Sequence, residues 1–339
     1  MKIAALCFFK EKILIMEQKS FIGVDALVFH LQPQSMQRII FAEKRNEAGN
    51  IVFQLSPYRQ RFVRLTIVLP HWIRPDNVEP FNTHETAFLR DIVPALRRFL
   101  KNSNVPTLGL RICSLEVNKT FDLSRLKGFE EEQAARQTSQ LLEFMSCALL
   151  AEGDAGSSHF VGVRNDMGLV NKEVQSVLLK KERAYALKLY NKSIQMGRSD
   201  HLLRFEIILL RRELDKLFER GDFVEVLSAQ GINKACQRFA KLTLDEIIPS
   251  VKRYQSKLGK AFVRLARKNG VTEAFALLVG NGVEIDESGA KYAISRFYGT
   301  GGKANAFNML KFVMRKFGFC PIVEPFFVSL RRACKDLIG

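Results

Sequence analysis

The sequence predicts an α+β protein, an antiparallel sheet with two helices followed by a basic all-α segment. Three observations predict it. Alternating stretches rich in Val, Ile, Leu and Phe dominate residues 21–211, helical spacing takes over after residue 212, and positive charge gathers in the second half. The 339 residues carry 52 Lys and Arg against 35 Asp and Glu, a net charge of +17. Residues 1–160 hold 20 against 17, and residues 161–339 hold 32 against 18, so +14 of the excess lies in the second half. A chain of this length accommodates two domains. The expected division is an N-terminal extension at 1–20, an α+β domain at 21–215 and a basic helical domain at 216–339.

FIGVDALVFHL (21–31), RIIFAEK (38–44), IVFQLS (51–56) and FVRLTIVL (62–69) read as strands, with NEAGN (46–50) as a hairpin turn. HETAFLRDIVPALRRFLKN (84–102) has helical spacing, with Thr83 as its N-cap and a kink at Pro94. LGLRICSLEVNKTF (108–121) is a long strand. EEEQAARQTSQLLEFMSCALLA (130–151) is a second helix whose acidic first turn suits the helix dipole. Strands follow at SHFVGVRN (158–165), AYALKLYNK (184–192) and HLLRFEIILLR (201–211), with loops at Gly153, Gly156, Gly162 and Gly168. Beyond residue 212, NKACQRFAKLTLDEII, VKRYQSKLGKAFVRLARKNG, VTEAFALLVGNG, ESGAKYAISRFYG, KANAFNMLKFVMRKFG and VEPFFVSLRRACKDL all have helical spacing.

The basic second half points to a polyanion, because cations placed on phosphates release counterions. A membrane surface is disfavoured, since no basic amphipathic helix carries a clear aromatic or Leu face. The opening MKIAALCFFKEKILIM has a short apolar run broken by Lys10, Glu11 and Lys12, far below the ~20 residues of a membrane span. Met16 begins a cleaner start, so residues 1–15 read as an upstream extension or a dispensable arm. Cysteines at 7, 113, 147, 236, 320 and 334 form no CxxC and no zinc-type spacing with histidine, which fits a reducing, cytoplasmic setting. No GxxxxGK[ST] motif appears, and GTGGK (299–303) reads as a helix–helix connector. The five histidines form no HExxH or His-x-His pair.

Three strands interrupt apolar runs with polar residues on one face. In LGLRICSLEVN, Glu116 alternates with Ser114 and Asn118, opposite Cys113, Leu115 and Val117. In YALKLYNK, Tyr190 stands between Lys188 and Lys192, with Tyr185, Leu187 and Leu189 on the other face. In HLLRFEIILLR, Arg204 and Glu206 share a face, opposite Leu203, Phe205, Ile207 and Leu209. An unpaired buried carboxylate costs several kcal/mol, so Glu206 must be paired, metal-bound or at an edge. Two carboxylates and a phenol are what metal-assisted phosphodiester cleavage by a tyrosine requires. Taken residue by residue, packing of Tyr190, a cross-strand Arg204–Glu206 pair and a solvated lysine face explain the same pattern.

In order along the chain, these segments resemble the filamentous-phage gene II/gene X type rolling-circle replication initiators. VRLTIVLPHWIRPDNVEPFN (63–82) is similar to that family's strand–Pro–loop, keeping Pro70, Asn77 and Val78. CSLEVNKTFDL (113–123), LKLYNKSIQ (187–195) and LLRFEIILLRREL (202–214) are similar to its three site strands. Departures are that Glu116 stands where the family has aspartate, flanked by Ser114 and Leu115 without the family's arginine. Pro75-Asp76 replace its Gly-His, and the His-hydrophobe-His metal pair of the broader superfamily is missing.

The resemblance implies a nicking (HUH-endonuclease-like, Rep-like) domain and a catalytic set of Tyr190 as nucleophile with Lys188 and Lys192 stabilising charge. It implies a divalent metal, Mg or Mn, held by Glu116 and Glu206. DNA contacts are expected from Arg204, Arg211, Arg212, Lys252, Arg253, Lys257, Lys260 and Arg264. The implied activity nicks one strand at an origin, leaving a 5′-phosphotyrosine and a 3′-hydroxyl that primes rolling-circle replication. The implied partners are origin duplex, the nicked single strand and host replication machinery. The alternatives are a non-catalytic DNA-binding initiator or repressor and a basic scaffold for another anionic partner.

Overall fold

A computed structural model of the chain describes residues 22–31, 41–58, 62–150, 158–163, 176–181, 183–280, 287–299, 305–306, 308–309, 312–313 and 320–339. The expected extension at 1–20, residues 38–40, the loop glycines 153, 156 and 168, and most of GTGGK and KANAFNMLKFVMRKFG lie outside the described residues.

The strands are β1 (Gly23–Leu31), β2 (Ala42–Arg45), β3 (Ile51–Tyr58), β4 (Phe62–Val68), β5 (Phe81–Asn82), β6 (Arg111–Asp122), β7 (Ser158–Val163), β8 (Ser176–Lys181), β9 (Tyr185–Asn191) and β10 (Leu202–Leu209). They form one sheet in the order β2-β3-β4-β1-β6-β10-β9-β8-β7, with β5 paired to β1, and every pair is antiparallel. β8 is a strand that alternation does not single out, and β5 is only two residues long. Gly162, expected to mark a loop, lies within β7, where the pairing with β8 shifts register beside it. Between β2 and β3 the expected turn forms, with Gly49 at φ 81°, a conformation that costs glycine nothing.

The helices are α1 (Pro70–Ile73), α2 (Leu89–Asn102), α3 (Ala134–Leu150), α4 (Lys192–Met196), α5 (Arg211–Leu217), α6 (Phe223–Val226), α7 (Ala229–Leu242), α8 (Ile248–Asn269), α9 (Val271–Gly280), α10 (Glu287–Tyr298) and α11 (Val323–Ile338). A 3-10 turn over Thr83–Phe88 precedes α2, and its N-cap is Asn82 rather than Thr83. Asn82 and Glu85 satisfy each other's backbone N–H groups in a capping box. Pro94 lies inside α2, which continues through it.

One face of the sheet is apolar. Leu27, Leu115, Val117, Phe205, Ile207 and Leu209 are fully buried there. Phe205 meets Phe239 of α7 edge-on at 5.7 Å, and Phe121 meets Phe326 of α11 at 4.8 Å. Each such ring removed from water stabilises the fold by about 1.5–3 kcal/mol. Helices α7 and α11 thus share the sheet's core, while α8, α9 and α10 enclose a second cluster around Phe262, Phe275 and Ile294. No helix among the described residues is long and apolar enough to cross a membrane.

The other face carries the polar residues. The segment between α1 and β5 crosses over it and returns to pair with β1. That return passes directly over Gly23, where a Cβ would lie 2.4 Å from the Phe81 carbonyl oxygen, so only glycine fits.

Candidate metal and tyrosine site

Antiparallel register stacks the polar residues into rows across three strands. Tyr190, Arg204 and Thr120 form one row, and Lys188, Glu206 and Asn118 form the next. Glu116 lies in the following row, opposite Ile208. Asp25 joins them from β1, where the pairing with β6 shifts between Val24 and Leu27 and one extra residue is accommodated. A bulge of this kind re-aims a side chain and commonly sits beside functional groups. Carboxylate oxygens of Asp25, Glu116 and Glu206 all lie within 4.8 Å of one another.

The cluster is largely dry. Asp25 is 5% exposed, Glu206 2%, Asn118 0% and Arg204 0%. Arg204 donates to Asp25 Oδ2 at 2.9 Å, to Thr120 Oγ1 at 3.3 Å and to the carbonyls of Asn77 and Val78. Asp25 Oδ1 is buried without a hydrogen-bond partner, as are both side-chain polar atoms of Asn118. Lys188 Nζ stands 2.7 Å from Glu206 Oε1 and 3.8 Å from Glu116 Oε1. The Tyr190 hydroxyl donates to Glu206 Oε2 at 3.3 Å.

Burial, and after it the crowding of charge, sets the electrostatics. Burial, then the neighbouring Glu206 charge, pushes the Glu116 carboxyl up to about 7, with Lys188 opposing. Burial also raises Asp25 despite its pairing with Arg204. Burial and the Glu206 charge hold the Tyr190 phenol far above the ordinary tyrosine range, against the pull of Arg204. For Lys188, burial favours the neutral form, but Glu206 and Glu116 outweigh it and hold the ammonium above its usual value. Burial and like charge both disfavour the ionised carboxyls, and a nearby cation would favour them.

Lys192 sits just past the end of β9, at the start of α4, where Asn191 caps the helix by accepting from the Ile194 N–H. It is 2% exposed, donating to Asn77 Oδ1 at 3.0 Å and Gln195 Oε1 at 2.9 Å. Its Nζ is 6.0 Å from the Tyr190 ring centroid. Burial, then the charge of Arg204, lowers this ammonium to about 8.

The sheet therefore brings together Tyr190, Lys188, Lys192, Glu116 and Glu206. Arg204, expected to touch DNA, is fully buried with its donors committed to Asp25, Thr120 and two loop carbonyls, so it presents nothing to a nucleic acid. Its role is to seat Asp25 and the loop. The remaining expected DNA contacts are exposed. Arg211 and Arg212 begin α5, and Lys252, Arg253, Lys257, Lys260 and Arg264 line α8. Helix α8 carries no Asp or Glu over its 22 residues, so this side is uniformly positive. Tyr185 faces the opposite way and donates to Glu246 at 3.1 Å.

Asp25 is the member of the cluster that strand alternation did not single out. Its signal is the same as that of Glu206, a lone carboxylate breaking an apolar strand in GVDALVFHL.

A divalent cation fits these residues. Three carboxylates suit a hard ion of the Mg or Mn type. The unpartnered Asp25 Oδ1 and the raised Asp25 and Glu116 carboxyls are what such a charge would satisfy. No protein-family model matches the chain, and no curated protein matches it. Among solved structures, the chain is similar to a rolling circle replication initiator protein from Geobacillus stearothermophilus, at 14% identity over 66% of this chain and 84% of that one, with a TM-score of 0.32.

Proposed function

We propose that the chain is a replication initiator that nicks one DNA strand through Tyr190, with Asp25, Glu116 and Glu206 as the ligands of a divalent cation. The observation that carries this reading is the convergence of three carboxylates from three strands beside a tyrosine hydroxyl. When bound, the cation supplies Lewis-acid polarisation of the scissile phosphate and offsets the charge that burial resists.

The chain's own residues account for the rest. Arg204 fixes Asp25 and the Asn77–Val78 loop above it. Glu206 accepts the hydrogen bond of the Tyr190 hydroxyl and is placed to take its proton. Tyr190 Oη then attacks phosphorus, the bond from phosphorus to the 3′ oxygen breaks, and that oxygen leaves as a 3′-hydroxyl with the proton that Glu206 took from the tyrosine. The DNA keeps its 5′ phosphate as an ester of Tyr190. Lys188, part-exposed one row from the tyrosine, stabilises negative charge on the phosphoryl oxygens, and buried Lys192 holds the loop above the site through Asn77. The exposed cations of α5 and α8 hold duplex DNA beside the nick. The gene II/gene X type, implied by the sequence resemblance, is the form this reading takes.

One observation favours a second reading, a non-catalytic DNA-binding initiator or repressor. Lys188 and Arg204 already neutralise part of the cluster, as a purely structural network would. Supercoiled DNA carrying the replication origin separates the two. With Mg²⁺ or Mn²⁺ the nicking reading expects open circles and a covalent 5′ adduct, both lost in Tyr190→Phe with duplex binding near wild type. An equally active Tyr190→Phe protein overturns the assignment and directs attention to Tyr185.

A further inference from the structure

A groove of about 690 Å³ lies between the β2–β3 hairpin and α1, lined by Lys44, Arg45, Glu47, His71, Trp72 and Arg74 among others. Sites that hold a small ligand or a nucleotide unit have volumes of this order, roughly 300–1,000 Å³. Trp72 is the chain's single tryptophan. It is half-buried and stacks on Phe53 at 5.8 Å with an interplanar angle of 26°. Lys44 Nζ sits 4.5 Å from the Trp72 ring and 5.7 Å from Phe53.

The other basic side chains of the groove each have a protein partner. Arg45 pairs with Glu43 and the Gly49 carbonyl, Arg74 pairs with Glu85, and the His71 ring bonds the Ile51 carbonyl. Among the described residues, Lys44 makes no ion pair and rests only on the two rings. An aromatic platform beside a cation held by nothing but ring faces suits a base and its phosphate.

The groove is mechanically tied to the carboxylate cluster. Asn46 donates to the carbonyls of His71 and Arg74, and Asn50 donates to that of Pro75. The same segment continues to Asn77 and Val78, whose carbonyls hold Arg204. Three residues from Arg74 to Asn77 span at most about 11 Å, a distance of very few nucleotides.

We propose that this groove binds single-stranded DNA flanking the nicked phosphate, with a base stacked on Trp72 and its phosphate on Lys44. That the bound strand flanks the nicked phosphate rests on the nicking reading above, but binding itself is measured apart from nicking. The Tyr190→Phe protein is titrated with an oligothymidylate of about 12 nucleotides, within the usual site size of such grooves, while Trp72 fluorescence is followed.

The expected result is saturable quenching. Lys44→Ala should weaken binding and reduce the salt slope by about 0.7, the share of one neutralised single-strand phosphate. Glu47→Gln, which removes the groove's negative charge, should tighten it. Trp72→Ala, checked for folding by thermal unfolding and followed by anisotropy of a labelled oligonucleotide, should weaken it by about five- to a hundredfold. No quenching, equal quenching by duplex of the same length, or unchanged affinity in Lys44→Ala would each overturn the proposal. Quenching in a protein whose wild type never nicks DNA sinks the nicking reading and leaves the groove standing. Nicking without quenching does the reverse.

Discussion

Two buried carboxylate sites in this molecule invite comparison, one a single glutamate and the other a cluster of three acids. Glu213 of α5 is 3% exposed, and both of its oxygens are answered, by Lys216 at 2.7 Å and Arg238 at 2.6 Å. Burial raises its carboxyl, but the hydrogen bonds of Arg238 and then Lys216 outweigh that and hold it below the usual glutamate range. Asp25 and Glu206 are buried to a similar degree and Glu116 is half-buried, yet Asp25 keeps an unpartnered oxygen and both Asp25 and Glu116 are raised. A satisfied site ties elements together. An under-satisfied one, three strands deep and beside a tyrosine, is a place for a charge the chain does not supply.

Substitutions sharpen this contrast, beginning with the largest effect. Arg204→Ala leaves Asp25 buried against Glu206 without its ion-pair partner, and breaking a buried pair costs about 3–5 kcal/mol. Denaturant unfolding should show a loss of that order, and Arg204→Lys should recover little of it, since one ammonium cannot span the four acceptors. Asp25→Asn should fold but nick poorly. Losing several kcal/mol of charge stabilisation lowers the rate by about 10²–10³, read as adduct formed per unit time with duplex binding unchanged.

Glu213→Gln is the matched control. It should leave nicking intact and cost about 1–3 kcal/mol of stability through its broken charged hydrogen bonds. Because the folded-state carboxyl is lowered, its contribution is present above the unfolded value of 4.5 and is lost as pH falls below it. The variant's acid-unfolding curve should therefore be shallower in that range than wild type. The smallest effect belongs to the exposed stripe on α8. Lys257→Ala with Arg264→Ala should weaken duplex binding uniformly across sequences and reduce the salt slope by about 0.9 for each phosphate that these side chains neutralise.

Much of this arrangement is legible in the sequence. Period-two alternation places Glu116, Arg204 and Glu206 on the polar face because a strand has only two faces to offer. It identifies the apolar partners Leu203, Phe205, Ile207 and Leu209, all fully buried. Asp25 escapes because its place depends on a bulge in β1, a property of the pairing with β6 and not of the strand alone. Alternation sets Lys192 beside Tyr190, but α4 begins there, and its ammonium reaches the site's loop through Asn77 instead. Arg204 resembles a DNA contact because charge alone does not reveal burial. Its partner Asp25 stands 179 residues earlier in the chain, and no local pattern joins the two.

Manganese binding tests the central claim most directly. Titration of the metal-free protein followed by electron paramagnetic resonance should show one bound Mn²⁺ per chain in wild type. Glu213→Gln should bind as wild type does, and Asp25→Asn should lose the ion. A wild-type protein that binds no Mn²⁺, or an Asp25→Asn protein that binds it equally well, would contradict the account.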